Sequence, residues 1–217
     1  MALLILLVVL AYLLGSIPSA VWVGRWLRGI DLREHGSKNA GATNTIRVLG
    51  TPIGLLVLAM DMAKGFFAVR LWHFGATAFD STNGLYTYML LLGIMAVVGH
   101  IYPIFAGFRG GKGVATICGV ILSLQPLVFL CLLVLFVIIV GTTRYISLGS
   151  MVCGVCYPFI LYFLFDVRAL PFLIFAACAG LLLLYTHRKN IGRLLNGTES
   201  KFRPTKHGSL GRDPQAG

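Results

Sequence analysis

The stretch Gly113-Val-Ala-Thr-Ile-Cys-Gly-Val-Ile-Leu-Ser-Leu-Gln-Pro126 continues without a charged residue into Leu127-Val-Phe-Leu-Cys-Leu-Leu-Val-Leu-Phe-Val-Ile-Ile-Val-Gly-Thr-Thr143. Together the two segments are much longer than the ~20 residues that a helix needs to cross the hydrocarbon core of a bilayer. Proline lacks an amide donor and clashes with the preceding helical turn, so Gln125-Pro126 predicts a break between two short helices. Whether this run crosses once or twice decides on which side of the membrane every later loop lies.

The amino-acid composition is that of a membrane protein. Of 217 residues, 58% are hydrophobic and 12% are charged, which is too apolar for a soluble domain of this size. The formal net charge of +11 suits membrane topology, anionic lipid headgroups or anionic substrates, and composition does not distinguish among them. The five cysteines all lie within apolar runs, which argues against a disulfide framework or a zinc site.

The distribution of Lys and Arg predicts the topology. Other apolar stretches cover 3–24, 52–72, 85–106, 147–165 and 169–186. If 113–143 crosses twice, nearly all Lys and Arg fall on one side, and the other side keeps only Arg168 and the helix-end Arg70. Because cytoplasmic loops are rich in Lys and Arg, we expect an all-α, polytopic integral membrane protein with seven transmembrane helices, two of them short.

In this topology the N-terminus is outside and the C-terminus is cytoplasmic. A re-entrant hairpin over 113–143 is the alternative. We expect residues 1–202 to form a single transmembrane domain, and residues 203–217 to form a disordered tail.

The first loop on the basic side is dense in small and hydrogen-bonding residues. It reads Asp31-Leu-Arg-Glu-His-Gly-Ser-Lys-Asn-Ala-Gly-Ala-Thr-Asn-Thr-Ile-Arg47. Arg47 offers a planar fork suited to phosphate or carboxylate, and glycines allow close backbone approach. The loop is equally typical of a capped surface turn with topology-setting arginines. Its candidate side-chain donors are Ser37, Asn39, Thr43 and Asn44.

The second loop places three glycines around Lys112, in Gly107-Phe-Arg-Gly-Gly-Lys-Gly-Val-Ala-Thr116, directly before an apolar helix. Such a turn directs free amides, here expected at Gly110 and Gly111, and a helix dipole toward an anion. The residue after the lysine is Gly113, so this is not a nucleotide-binding P-loop of the Walker type. A tight turn between two spans is the alternative interpretation.

The third segment, Tyr185-Thr-His-Arg-Lys-Asn190, continues from the last span toward Glu199. His187 and Asn190 are three residues apart, which predicts that they share one helix face. Ser147, at the start of the sixth span, is placed to reach the same loops, or to cap its own helix.

Charged residues within or beside the spans are assigned structural roles. Asp61 and Lys64 are spaced i,i+3 on the second span and are expected to form an ion pair, since unpaired charges cost several kcal/mol there. Glu199 is also assigned a structural role. The chain has no Asp-x-x-Asp pair and no His-x4-Asp motif, so we expect no metal and no cofactor, with charge neutralised by Lys, Arg and amides.

These motifs, in their order along the spans, resemble the bacterial acyl-phosphate:glycerol-3-phosphate acyltransferase (PlsY) family. The resemblance reaches to about Phe202. Mild departures are Lys38 and Ala40, where the family often has Gly and Pro or Val, and Arg109, where Lys is frequent. The motifs are Gly15-Ser-Ile-Pro18, Gly36-Ser-Lys-Asn-Ala-Gly-Ala-Thr-Asn44, Asp61-x-x-Lys64-Gly65, Gly99-His100-x-x-Pro103, Phe108-Arg-Gly-Gly-Lys-Gly-Val-Ala-Thr116, Ser147-Leu148 and His187-x-x-Asn190-Ile191.

The resemblance implies a membrane enzyme of phospholipid synthesis. It implies transfer of a fatty acyl group from acyl phosphate to the 1-hydroxyl of glycerol 3-phosphate, giving lysophosphatidic acid. Neither acyl-CoA nor acyl carrier protein is then the donor, and nucleic acid is not a partner. It further implies a multi-pass protein of the bacterial inner membrane, in contact with membrane lipids, with its active site facing the cytoplasm.

The expected roles follow from joining two anions at a carbonyl group. We expect Lys112, Gly110 and Gly111 to hold one phosphate, Arg47 with Asn39, Thr43 and Ser37 to hold the other, and Ser147 to complete the phosphate site. His187 and Asn190 would orient the hydroxyl, and either His187 or a substrate phosphate would take its proton. The candidate catalytic residues are therefore Ser37, His187 and Asn190.

Two alternatives stay open at the sequence level. An acyl-Ser37 intermediate would make the reaction covalent. A transporter of phosphorylated lipids would use Asp61 and Lys64 as its pathway, although no inverted repeat is evident and the polar residues cluster on one face rather than at the midplane.

Overall fold

The structure, a computed structural model, describes residues 1–203, and this part of the chain is helical with no strand. The expected disordered tail therefore lies, apart from Arg203, outside the described residues. Short 3-10 turns cover Leu71–Phe74, Ala76–Ala78 and Ile104–Ala106, and a π-helical turn covers Ile160–Leu164. The α-helices are α1 (Ala2–Gly15), α2 (Ser19–Arg28), α3 (Ala42–Leu49), α4 (Thr51–Arg70), α5 (Thr82–Ile101), α6 (Val114–Leu124), α7 (Pro126–Thr143), α8 (Ile146–Phe159), α9 (Leu170–Thr186) and α10 (Arg188–Leu195).

Several helices are apolar and long enough to cross a membrane. Within the described residues, four such segments stand alone, and the pairs α1–α2 and α9–α10 qualify as bent spans, giving up to six. The apolar helix α6 has 11 residues, and at ~1.5 Å rise per residue it covers about half of the hydrocarbon core. The protein is thus a multi-pass membrane protein, and the seven-span count stays a prediction that depends on α6. The four single segments are Thr51–Phe74, Thr82–Ala106, Pro126–Thr143 and Ile146–Leu164.

The break at Gln125-Pro126 is confirmed. Helix α6 ends at Leu124, Gln125 adopts a non-helical backbone, and Pro126 is the first residue of α7. This is the position at which the missing amide of proline costs nothing, since a first-turn amide has no partner inside the helix. The side chain of Gln125 accepts a hydrogen bond from the Tyr157 hydroxyl at 3.2 Å, which fixes the break against α8.

The first apolar stretch, predicted over 3–24, forms a bent span rather than a straight helix. Helices α1 and α2 meet at Pro18 with a bend of 42°. The proline ring cannot continue the hydrogen-bond ladder of α1. The Ile17 carbonyl at the bend instead accepts a hydrogen bond from the Lys64 ammonium of α4 at 2.9 Å.

Glycines let three helix pairs approach closely. A Cβ atom added to Gly119 of α6 would lie 1.9 Å from the Met62 carbonyl oxygen of α4. One added to Gly15 of α1 would lie 2.1 Å from the Ala96 carbonyl oxygen of α5, and one on Gly180 of α9 would lie 2.6 Å from the Gly154 oxygen of α8. Small residues at such crossings are the usual basis of helix packing in membranes. The contact at Gly119 holds α6 against α4, and so fixes the position of α6.

Replacement of Gly119 by alanine should destabilise the fold. The methyl group must displace the α4 backbone, and such overpacking costs about 1–3 kcal/mol. We expect a lower thermal unfolding midpoint in detergent for Gly119→Ala. The matched control is Gly141→Ala in α7, where an added Cβ meets no atom within 4 Å, so its midpoint should stay equal or rise. Equal midpoints for Gly119→Ala and the unchanged protein would contradict the close crossing.

Candidate functional site

Lys112 connects the loop between α5 and α6 to the last two helices. Its ammonium group donates a hydrogen bond to the Asn190 side-chain oxygen in α10. Its carbonyl oxygen accepts a hydrogen bond of 3.2 Å from the Thr186 hydroxyl at the end of α9. Two separate motifs of the sequence, around Lys112 and around His187, therefore meet in space.

Glu199 is the centre of this cluster. Its Oε1 atom accepts hydrogen bonds from the Asn190 side-chain amide and the Ser147 hydroxyl, both at 2.6 Å. Its Oε2 atom accepts one from Arg193 at 2.7 Å, and the Glu199 side chain is only 8% exposed. The carboxylate thus joins α8, α10 and the segment that follows α10. The Ser147 hydroxyl already donates its hydrogen bond to Glu199, so in this structure it does not donate one to a phosphate.

Burial and neighbouring charges set the protonation states here. Burial lowers the pKa of Lys112 to about 8, and the nearby cations Arg193 and Arg47 act in the same direction, while Glu199 opposes them. Burial would raise the pKa of Glu199, but its hydrogen bonds from Ser147, Asn190 and Arg193 outweigh burial and hold the pKa below the usual value. At neutral pH the site contains a charged ammonium beside a carboxylate.

His187 is neutral at physiological pH. Burial, and then the charge of Lys112, lower the pKa of His187 to about 4. Its Nδ1 atom lies 2.8 Å from the Leu183 carbonyl oxygen, and because a carbonyl only accepts, Nδ1 carries the proton. The other ring nitrogen, Nε2, then has a free lone pair. His187 is therefore suited to accept a hydrogen bond from a hydroxyl group, but it is a weak base.

His187 and Asn190 lie together at the start of α10, with His187 as the N-cap residue, but α10 is not a straight continuation of α9. Helix α9 ends at Thr186, His187 stands at the junction, and α10 leaves at 61° to α9. The Asn190 amide still bonds the His187 carbonyl at 2.7 Å, which keeps the two residues together. Both are buried, with exposures of 3% for His187 and 6% for Asn190, so the bend brings them into the protein interior.

Asn44 organises the first loop rather than serving as a donor to a ligand. Its side-chain oxygen accepts a hydrogen bond from the Ser37 amide at 2.8 Å, and its amide group donates to the Leu32 and His35 carbonyls at 2.9 and 3.0 Å. Asn44 is 1% exposed, and its polar atoms are used inside the loop. The expectation that it supplies a free donor is wrong.

The other predicted donors of this loop remain available. Within residues 1–203, no hydrogen bond or ion pair occupies the side chains of Ser37, Asn39, Thr43 and Arg47. Thr43 and Arg47 are one turn apart on α3, and Arg47 is near enough to Lys112 to lower its pKa. Lys38 adopts a left-handed backbone with φ of 60°, a conformation that favours glycine.

The amides of Gly110 and Gly111 are not free, which corrects the expectation for the second loop. They donate to the Ile101 and His100 carbonyls of α5 at 3.1 and 3.2 Å. A Cβ atom at Gly110 would lie 1.9 Å from the His100 carbonyl oxygen, so these glycines permit close contact with α5. The amides of the first turn of α6 remain, since a helix gives them no internal acceptor and Gly113 provides no side-chain cap.

The predicted Asp61–Lys64 ion pair is present beneath this loop. The Lys64 nitrogen lies 2.9 Å from Asp61 Oδ1, and both side chains are almost fully buried. His100, which the sequence offered only within a motif, completes the cluster, with Nδ1 3.6 Å from the same oxygen. The cluster joins α4 and α5 and supports Gly111, whose added Cβ would lie 2.3 Å from the His100 ring.

Residues 1–203 contain no group of three or more His, Cys, Asp or Glu side chains arranged to hold a metal ion.

The helical bundle and the Lys112–Asn190–Glu199 cluster define a multi-pass membrane protein with a basic polar site where several helices end. The chain belongs to the glycerol-3-phosphate acyltransferase (PlsY) family, because the family model described as "Glycerol-3-phosphate acyltransferase" matches residues 5–197. Curated relatives of that name occur in Geobacillus kaustophilus, 44% identical over 91% of this chain and 95% of the relative, and in Fusobacterium nucleatum, 41% identical over 90% and 96%.

Solved structures of the family have the same fold. A crystal structure of PlsY (YgiH), an integral membrane glycerol 3-phosphate acyltransferase in its glycerol 3-phosphate form, has a TM-score of 0.79, with 38% identity over 92% of this chain and 96% of that one. The lysophosphatidic acid form of that protein has a TM-score of 0.78.

Loss of the Glu199 carboxylate should disrupt the cluster. Glu199→Ala leaves the buried donors of Ser147 and Asn190 without an acceptor, at a cost of about 1–3 kcal/mol for each unsatisfied group. We expect a lower thermal unfolding midpoint in detergent, with partial recovery in Glu199→Gln, which keeps an acceptor but no charge. Glu34→Ala, at an exposed position of the first loop, is the matched control and should leave the midpoint unchanged. An unchanged midpoint in Glu199→Ala would show that the cluster does not hold these helices together.

Proposed function

We propose that this protein is an acyltransferase that transfers a fatty acyl group from acyl phosphate to the 1-hydroxyl of glycerol 3-phosphate, giving lysophosphatidic acid. Family membership supports the acyl transfer, and the glycerol 3-phosphate and lysophosphatidic acid forms of the solved relative support the acceptor and the product. The observation that carries the proposal is that the charged Lys112 bonds Asn190, which lies next to His187, while Arg47 of the first loop is close enough to lower the pKa of Lys112 and has no partner within residues 1–203.

Two groups of residues would hold the two phosphates. Lys112 and the first-turn amides of α6 would bind glycerol 3-phosphate, since Lys112 contacts Asn190, which lies next to His187. Arg47, Thr43, Asn39 and Ser37 would bind the phosphate of the donor. Gly110 and Gly111 would act through the shape of the loop, and Ser147 would act through Glu199 rather than by contacting phosphate. Arginine binds a phosphate with two parallel hydrogen bonds, which orients the donor as well as holding it.

The reaction then needs little from a protein base. The C1 hydroxyl oxygen attacks the acyl carbon, the bond from that carbon to the phosphate oxygen breaks, and inorganic phosphate leaves. His187 Nε2 accepts a hydrogen bond from the hydroxyl and orients it, but a pKa of about 4 makes it a weak base. The hydroxyl proton passes to an oxygen of the departing phosphate, which therefore leaves as hydrogen phosphate. Lys112 reduces the repulsion between the two phosphates.

A covalent acyl-Ser37 is less well supported. Ser37 is exposed, and within residues 1–203 its hydroxyl has no hydrogen-bonded base. The nearest histidine in sequence, His35, uses Nδ1 for the Asp31 carbonyl at 3.0 Å. We therefore assign Ser37 to donor binding.

We also propose that the bundle has seven spans, with the N-terminus outside and the site facing the cytoplasm of a bacterial inner membrane. The concentration of Lys and Arg in the loops that form the site supports this orientation. The acyl chain of the donor would then lie among the apolar helices while its phosphate reaches the polar loops.

An assay of the purified protein in detergent tests the donor and the acceptor together. With acyl phosphate and glycerol 3-phosphate we expect lysophosphatidic acid, together with an equal amount of inorganic phosphate, without any membrane gradient. Acyl-CoA or acyl carrier protein in place of acyl phosphate should give no product. Acyl phosphate alone should leave the intact mass unchanged, and an added acyl mass would restore the covalent route. Product from acyl-CoA at a similar rate would overturn the proposed donor.

The affinity for glycerol 3-phosphate should fall above pH 8. The pKa of Lys112 is lowered to about 8, so Lys112 is charged below that pH and loses its charge as pH rises through it. We expect the KM for glycerol 3-phosphate to change little up to about pH 7, to be about twofold higher at pH 8 and to rise about tenfold per unit well above pH 8, because binding requires the protonated form. His187, with a pKa of about 4, should add no transition in this range. Lys112→Arg stays charged and should remove the rise. A KM that stays constant to pH 10 would contradict phosphate binding by a Lys112 whose pKa is about 8.

A further inference from the structure

Arg33 holds the loop that leads to Lys112. Its Nη1 atom donates hydrogen bonds to the Ala106 carbonyl at 2.6 Å and to the Arg109 carbonyl at 3.3 Å. Between these two carbonyls lie Gly107 and Phe108, which both have left-handed backbones, with φ of 61° and 58°. One guanidinium group therefore spans the whole of this left-handed turn.

The turn carries strain at Phe108. A residue with a Cβ atom in the left-handed region costs roughly 1–2 kcal/mol, and such conformations persist where the surroundings fix them. Phe108 is 58% exposed, so its own packing does little to fix the turn. The amide of Phe108 bonds the Pro103 carbonyl at 2.8 Å, and Arg33 supplies the side-chain hydrogen bonds at both ends.

Asp31 orients the Arg33 guanidinium. Arg33 Nε lies 3.0 Å from Asp31 Oδ1, and Arg33 Nη2 lies 2.7 Å from Oδ2, which is a bidentate pair. The two side chains are 17% and 12% exposed, so the pair is largely withdrawn from water. Arg25 contacts the outer side of the same carboxylate at 3.1 Å with a side chain that is 58% exposed. Since Nε, Nη1 and Nη2 are all engaged, Arg33 is not arranged to bind a substrate.

We infer that Arg33, oriented by Asp31, is a positioning residue for Lys112. It fixes the Gly107-Phe108 turn at the outer end of the loop while the His100 and Ile101 carbonyls fix Gly110 and Gly111 at the inner end, and together these contacts direct Lys112 to Asn190. The effect on substrate affinity rests on the proposed function, in which Lys112 binds glycerol 3-phosphate. Arg33 then controls the affinity for glycerol 3-phosphate without contacting the substrate.

Steady-state kinetics of Arg33→Ala and Arg33→Lys test this role. Losing two hydrogen bonds from a charged donor should raise the KM for glycerol 3-phosphate about tenfold or more, while kcat changes less than about threefold. Arg33→Lys has a single donor group, so its KM should lie between those of the unchanged protein and Arg33→Ala. This variant also covers the case in which Arg33→Ala does not fold. Arg25→Ala is the matched control, since it also loses a contact with Asp31, and its KM should stay within about twofold. A fall in kcat at constant KM would overturn the proposal.

A second substitution separates positioning from any other role of Arg33. Asparagine tolerates the left-handed backbone better than phenylalanine does, so Phe108→Asn should relieve the strain that Arg33 counteracts. In the Arg33→Ala background, Phe108→Asn should recover a large part of the lost affinity, about threefold or more in KM. In the unchanged protein it should have little effect. Absence of any recovery in the double variant would contradict the proposed mechanism.

Limited proteolysis gives a readout that does not depend on activity. Trypsin cleaves after Arg109, and release of the turn should make the Arg109–Gly110 bond about tenfold more susceptible in Arg33→Ala but not in Arg25→Ala, as measured by the fragment that begins at Gly110. If the unchanged protein makes no lysophosphatidic acid while this difference appears, the proposed function fails and the positioning of the loop stands. If the unchanged protein is active and the cleavage rates are equal, the role of Arg33 fails.

Discussion

A buried ammonium group loses much of its hydration, and Lys112 does so at the point where the helices of the bundle end. The lowered pKa of Lys112 is the direct consequence of that loss, and Glu199 is the nearby charge that opposes it. Glu199 in turn needs three donors of its own, from Ser147, Asn190 and Arg193. The hydrogen bonds of Glu199 thus hold α8, α10 and the segment after α10 together beside Lys112, whose charge the carboxylate favours.

The helices reach that meeting point because several of them stop or bend early. Pro126 separates α6 from α7, Pro18 bends the first span, and the junction at His187 turns α10 away from α9. Close crossings at glycine then fix the shortened helices against their neighbours, as for α6 against α4 at Gly119. The bend at Pro18 makes the Ile17 carbonyl available to the Lys64 ammonium, and the start of α6 follows directly on the Lys112 loop.

The sequence could predict features that depend on neighbouring residues, and features that depend on the motifs of the family. The break at Gln125-Pro126 follows from the chemistry of proline, and the Asp61–Lys64 pair follows from helical spacing. Family membership followed from motif order. The roles of Gly110, Gly111 and Asn44 could not be predicted, because their partners are backbone carbonyls brought near by folding, and a carbonyl has no signature in a sequence. The bend at His187 was missed for a related reason, since an apolar helix followed by a basic one reads as continuous.

The position of Glu199 also bears on how the protein is made. The site draws on residues from the first loop, such as Arg47, and on a carboxylate that follows every described helix. During synthesis Ser147 and Lys112 leave the ribosome before their acceptors, which are Glu199 and Asn190 respectively. The cluster is therefore completed only after the last helix has been made, and a chain that stops short of Glu199 would leave Ser147, Asn190 and Arg193 without this acceptor.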